Sequence, residues 1–213
     1  MPGQLTRRAS LPLQTRAGTL QPTSWNDSQR TIEVCWTTGA AVRRRDPWNG
    51  VEFDELLVVE PGAVNMARFE AGAVQVLDNH DRFTGVGAIL GVATKGWLAG
   101  GLGLALLQLS ERAEVAGIVA DIAKGVIRAI SFGYSVEQYE VVRAQDRKDG
   151  GTVDLWRAVK WTPQEISFVS VPADPGAGTR AAPQAYPCDF TAFKPSSEKP
   201  TMTTTTQRGA RSD

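Results

Sequence analysis

The sequence predicts a β-rich α+β domain, on three observations: about seven runs with the apolar patterning of strands, one clearly signalled helix, and turn residues that punctuate them between roughly residues 30 and 172. Thr31-Ile32-Glu33-Val34-Cys35-Trp36 alternates polar and apolar side chains as a half-buried strand does. Glu52 to Glu60 is a second β-rich run that stops at Pro61-Gly62, and Asp46-Pro47-Trp48-Asn49-Gly50 before it reads as a loop. Ala73 to Leu77 and Gly87 to Val92 are two further strands, flanking Asp78-Asn79-His80-Asp81.

The helix opens after Ser110, with Glu111 in its first turn, and Val115, Ile118, Val119 and Ile122 repeat at helical spacing. Gly125 supplies the stop. Val126 to Val142 then reads as a long strand with Ile130, Phe132, Tyr134 and Val136 on one face and Ser131, Gly133 and Ser135 on the other. A charged turn, Asp146 to Gly151, leads into the last two strands, Val153 to Trp161 and, past Pro163, Glu165 to Val171.

Three segments follow from composition: a loose basic leader over residues 1–28, a folded domain over 29–178, and a Pro- and Thr-rich tail over 179–213. Neither end has enough periodic apolar residues to offset the entropy of ordering, so both are expected to be mobile. The arginine run Arg43-Arg44-Arg45 reads as part of a solvated arm.

Of 213 residues, 42% are hydrophobic and 22% charged, the make-up of a globular protein with one substantial core. Lys plus Arg and Asp plus Glu both number 23. A net charge of zero gives no overall field towards nucleic acid or membrane, and neither partner is expected. No long apolar run predicts secretion or membrane insertion, since Trp97 to Leu109 is glycine-rich and too short to span a bilayer. Cys35 and Cys188 are far apart and suggest neither a disulfide framework nor a metal cluster; a reducing cytosol fits them. With one histidine and two distant cysteines, no metal or cofactor is expected.

His80 is the only histidine, so any mechanism that needs an imidazole base must use it. It follows a strand among polar neighbours, where a loop exposes functional groups. A nucleophile for that base needs a rigid element and small neighbours, so that a peptide can reach its oxygen. Ser131-Phe132-Gly133-Tyr134 meets the need, although Ser135, Ser167 and Ser170 compete on periodicity alone. The absence of a Gly-x-Ser-x-Gly elbow argues against an α/β-hydrolase.

Three blocks in order resemble the prohead maturation proteases of tailed phages, distant relatives of the herpesvirus assemblins, over residues 50–178. They are Asn79-His80-Asp81 followed by Gly85-Val86-Gly87, the run from Gly125 through Ser131 to Tyr134, and the run from Glu165 through Pro172-Ala173 to Ala177. The resemblance implies a serine endopeptidase with His80 as base, Ser131 as nucleophile and Glu165 as the acid that orients the imidazole. Asp81 is the rival acid, but a residue adjacent to His80 along a strand points to the opposite face. Arg128 and Arg157 match no motif for the oxyanion site.

The resemblance further implies an assemblin-like closed β-barrel of about seven strands with surrounding helices. It implies cleavage of scaffold and major capsid protein, and of the enzyme's own ends, inside the procapsid in the host cytoplasm. Assembly with further copies of the chain is compatible with it. The alternatives are a catalytically silent protease-derived scaffold that docks on capsid subunits, and a hydrolase of small esters.

Overall fold

A computed structural model of the chain describes residues 7–12, 14–20, 24–170 and 185–192, with side chains over 24–170. It is β-rich with little helix, in agreement with the sequence pattern. Among the described residues eleven strands, where about seven were expected, form one mixed sheet: β1 (Arg7–Pro12), β2 (Gln14–Leu20), β3 (Thr31–Thr37), β4 (Val42–Arg45), β5 (Glu52–Leu57), β6 (Gln75–Asp78), β7 (Ile89–Ala99), β8 (Leu102–Leu109), β9 (Ala129–Val142), β10 (Asp154–Phe168) and β11 (Ala185–Ala192). Their order is β1-β11-β9-β2-β3-β8-β7-β6-β10-β5-β4, with a further pairing between β9 and β10. Among the described residues the sheet therefore carries two edge strands, β1 and β4. Two helices accompany it, α1 (Ala67–Glu70) and α2 (Ala116–Ala123).

Five differences from the pattern stand out. The apolar stretch Trp97 to Leu109 is half of a hairpin, β7 to β8, because Gly100 and Gly101 take φ +59° and +78° and close a two-residue turn between the register partners Ala99 and Leu102. The expected break at Pro163 does not occur; β10 runs through it. Beyond β9, β5 pairs with β10 over Asp154–Ala158 and β6 over Glu165–Phe168, so the N–H that proline lacks falls in the gap between those ladders, at a register shift of the β9 pairing.

The helix begins later than its cap signal. Ala113–Val115 forms a 3-10 turn ahead of α2, and Ser110 Oγ accepts from the Arg112 N–H at 3.2 Å instead of capping the helix. Its stop is as expected: Gly125 lies at φ +70° and Val126 N–H returns to the Asp121 carbonyl at 2.8 Å. Finally, three stretches of the ends expected to be loose take strand geometry, β1, β2 and β11, and residues 24–28 are described too, with Asn26 bridged to Thr31; the rest of the expected leader over 1–28 and tail over 179–213 lies outside the described residues. The arginine run is no free arm either: it is β4, where Arg43 reaches Asp54 at 2.6 Å and Arg44 reaches Glu55 at 3.2 Å.

The core gathers Trp36, Phe69, Phe132, Tyr134 and Trp161, whose rings meet at 5.2–6.0 Å between centroids in tilted and edge-on pairs. Ile130, Phe132, Tyr134 and Val136 supply the β9 side of it. Ser131 and Ser135, on the other face of β9, are buried as well. That strand is hence covered on both faces, and the site described next is built along it.

Candidate active site

β6, β10 and β9 lie side by side, and their registers bring the three sequence-predicted residues into one region. Glu165 pairs with Gly133 and Ser167 with Ser131 across β10 and β9, while Leu77 of β6 pairs with Ser167 from the other side. Alternation places Glu165 and Ser167 on one face of β10 and their partners Gly133 and Ser131 on the matching face of β9. His80 reaches the same region from the end of β6, where Asn79 N–H donates to the Phe168 carbonyl at 2.8 Å.

The histidine is delivered by a tight turn. Asp81 N–H closes on the Asp78 carbonyl at 2.8 Å, and Asn79 and His80 between them have φ +47° and +59°. Asparagine tolerates the left-handed region; histidine, a non-glycine residue, takes it at some cost in backbone energy. Such strain persists only where surrounding bonds determine it, and here they do. His80 N–H donates to Ser167 Oγ at 3.1 Å, Ser167 Oγ donates to Glu165 Oε2 at 2.6 Å, and His80 Nδ1 meets Glu165 Oε1 at 2.7 Å. The closed loop of bonds fixes the backbone and the ring together.

With Glu165 as a carboxylate, which only accepts, Nδ1 is the donor of this bond and Nε2 is the ring nitrogen that it leaves open. The histidine is not the exposed residue its loop position suggests: its side chain is 11% exposed and that of Glu165 5%. His80 Nε2 and Ser131 Oγ are both buried and hydrogen-bond to nothing among the described residues, including each other. A serine hydroxyl and an imidazole nitrogen left open in one region with a carboxylate form a constellation suited to proton abstraction from a hydroxyl.

The rivals are occupied elsewhere. Asp81 accepts from the Phe83 and Thr84 N–H groups at 2.8 and 2.9 Å and from the Thr84 hydroxyl. Those bonds, the Thr84 hydroxyl first, hold its carboxyl below the usual range; it organises the loop after His80 and makes no bond to the ring. Ser135 accepts from Gln164 at 3.0 Å. Arg157 pairs with Glu140 at 2.7 Å, and Arg128 is exposed. Ser167 is the residue whose part the pattern missed: it stood among the competing nucleophiles, whereas its hydroxyl joins Glu165 to the His80 backbone. Its place two residues after Glu165, on the same face of one strand, is the signal that could have found it. Arg112 also went unnoticed; it donates to the carbonyls of Val86, at 3.2 Å, and Ile89, tying the segment after the His80 loop to the entry of α2.

The family model of the caudovirus prohead serine proteases matches residues 48–186, which include His80, Ser131 and Glu165. The chain belongs to that family. A stretch of 132 residues, 62% of the chain, is 32% identical to the major capsid protein of Halomonas phage phiHAP-1, and covers 20% of that protein. The chain thus matches about a fifth of the length of this curated relative. Among solved structures it is similar to the bacteriophage T4 capsid assembly protease, gp21, at a TM-score of 0.41 and 11% identity, over 78% of this chain and 97% of that one.

Proposed function

We propose that the chain is a serine endopeptidase in which Ser131 attacks the peptide carbonyl, His80 Nε2 takes its proton and returns it to the leaving amine, and Glu165 orients the imidazole. The observation that carries this is the bond sequence Ser167–Glu165–His80 ending on a buried Nε2 without a partner, with the Ser131 hydroxyl on the neighbouring strand free of any bond among the described residues. Burying polar atoms without partners costs free energy, and such atoms are commonly kept where chemistry needs them. That cost speaks against a silent scaffold.

The substrates in this reading are the capsid and scaffold proteins of the procapsid, together with the enzyme's own ends, and the site of action is the procapsid interior. Support comes from the family and from the relative in which a similar stretch is part of a capsid protein. We further infer a seven-strand barrel within the larger sheet. β9, β2, β3, β8, β7, β6 and β10 are each paired with the next, and β10 pairs with β9 again, which is the connectivity that a ring requires.

Co-expression with the neighbouring capsid gene tests the function. Wild type should yield shortened capsid or scaffold chains by intact mass, and Ser131→Ala should leave every chain full length. Identical products from both would remove Ser131 from the mechanism.

A further inference from the structure

β9 has two edges at Ser131. One is taken by β10, through Ser167, and the other by β2, through Ala17. β2 runs antiparallel to β9 from Gln14, opposite Tyr134, to Thr19, opposite Ala129. An extended peptide that brings its carbonyl to a strand serine satisfies its backbone groups by joining that strand's edge, and the β10 edge is not available. The segment over 14–19 therefore lies where a substrate strand would have to lie.

Two further features mark β2 as an occupant of this edge. It precedes residues 48–186, the stretch that the family model matches. Its ladder is also lopsided: six residues pair with β9, but only Thr19 and Leu20 pair with β3, which is held independently by β8 over Thr31–Thr37. Withdrawing β2 would free the β9 edge and leave the pairing of β3 with β8 in place.

We propose that residues Gln14–Thr19 act as a built-in substrate mimic, occupying the peptide-binding edge of β9 beside Ser131, and that an extended peptide of another chain enters only when this strand leaves. The inference rests on the serine-peptidase reading for its consequence, but not for its geometry. The shared requirement is backbone hydrogen bonding, so the bound ligand class is an extended peptide with little demand on side chains.

Two full-length variants test it. Arg16→Pro/Ala17→Pro removes two donors and should unseat β2. Thr19→Cys places a cysteine opposite the native Cys35, at the Cα spacing of about 4.5–5.5 Å that a disulfide can bridge, and oxidation should lock β2 in place. A labelled synthetic peptide of residues 12–21 reports binding by anisotropy, and a fluorophosphonate probe reports access to Ser131. The proline variant should bind the peptide at least about tenfold more tightly than wild type and label faster, while oxidised Thr19→Cys should do neither until reduced. A folded proline variant that binds no more peptide than wild type overturns the proposal. Should the prolines prevent folding, equal peptide uptake by oxidised and reduced Thr19→Cys overturns it instead. Peptide uptake that follows the prediction while Ser131 is labelled in no variant would keep the mimic and reject the serine-peptidase reading.

Discussion

Ser167 faces Ser131 directly across the β9–β10 ladder, and the two hydroxyls are used in opposite ways. Ser167 Oγ donates to Glu165 at 2.6 Å and accepts from the His80 N–H at 3.1 Å, whereas Ser131 Oγ bonds to nothing among the described residues. In the proposed mechanism Ser167 holds the base and Ser131 is the nucleophile. Ser167→Ala should therefore lower kcat by about 10–100-fold with little change in KM, since the loss is in the aim of His80 and not in peptide binding. Ser167→Thr keeps a hydroxyl and should restore much of the rate. A KM effect of the same size, or no rescue by threonine, would mean that Ser167 acts only through packing.

Ser131→Ala and His80→Ala should each abolish processing to a comparable extent, because the pair acts as a unit. Glu165→Gln should be milder, with a loss of about 10²–10⁴-fold, as an orienting group is partly replaced by surrounding geometry. Asp81→Asn should cost less than Glu165→Gln, because Asp81 bonds to Phe83 and Thr84 and not to the ring. Single-turnover cleavage of one capsid-derived substrate by the four variants gives the ranking; an Asp81 variant below the Glu165 one would reassign the acid.

The difference between what periodicity showed and what it hid has a physical basis. Strands β3, β6 and β9, the helix and its glycine stop were legible because each follows from local patterning at residues such as Val34, Ile122 and Gly125. The β7–β8 hairpin was hidden by composition: Leu102 to Leu109 is apolar nearly throughout, so the sequence shows no alternation even though the burial does, with Ala105, Leu107 and Leu109 buried and Leu104 and Leu106 only partly so. Pro163 looked like a strand break because the gap in its neighbours' pairing is a long-range fact. The pairings of β1, β2 and β11 are long-range too, and nothing within Gln14–Leu20 marks its partner as β9. At the site, residue types and block order pointed to His80, Ser131 and Glu165. The bond from Ser167 and the burial of the imidazole depend on how β6 and β10 meet, which no local pattern encodes.

Away from the site, Glu55 is fully buried and accepts from the Tyr134 hydroxyl at 2.5 Å, from the Tyr139 hydroxyl, and from Arg44 Nε at 3.2 Å. Burial by itself would lower the pKa of the Arg44 guanidinium, but Tyr134 and Glu55 beside it outweigh that and hold it above its ordinary value. The group joins β4 and β5 to β9, the strand that carries Ser131. Glu55→Ala removes the anion that a buried guanidinium and two buried hydroxyls share, and should destabilise the protein by about 3–5 kcal/mol. Glu55→Gln keeps the shape and should cost less. Urea midpoints give the comparison, and equal costs for the two changes would show that packing, not charge, is what Glu55 supplies.

A second polar cluster sets a pH dependence. Asp54 on β5 accepts from Arg43 Nε at 2.6 Å and Arg147 Nη1 at 2.7 Å, which joins edge strand β4 and the turn after β9 to the sheet. Burial would raise its carboxyl, but the bonds from the two guanidinium groups and their charge outweigh that and hold it below the ordinary value of 3.8. A carboxyl depressed in the folded state binds fewer protons there than in the unfolded chain once the pH drops below that ordinary value. Its stabilisation is accordingly complete above 3.8 and is lost as pH falls from there through the lower folded value. Asp54→Asn removes the titrating group, so wild type should exceed the variant in stability most at about pH 7, and the gap should narrow by about pH 3. Urea unfolding of both proteins at the two pH values measures it. Because every other carboxyl is common to both proteins, the difference isolates Asp54, and a gap that stays constant or widens in acid would show that the two arginines do not favour its charged form.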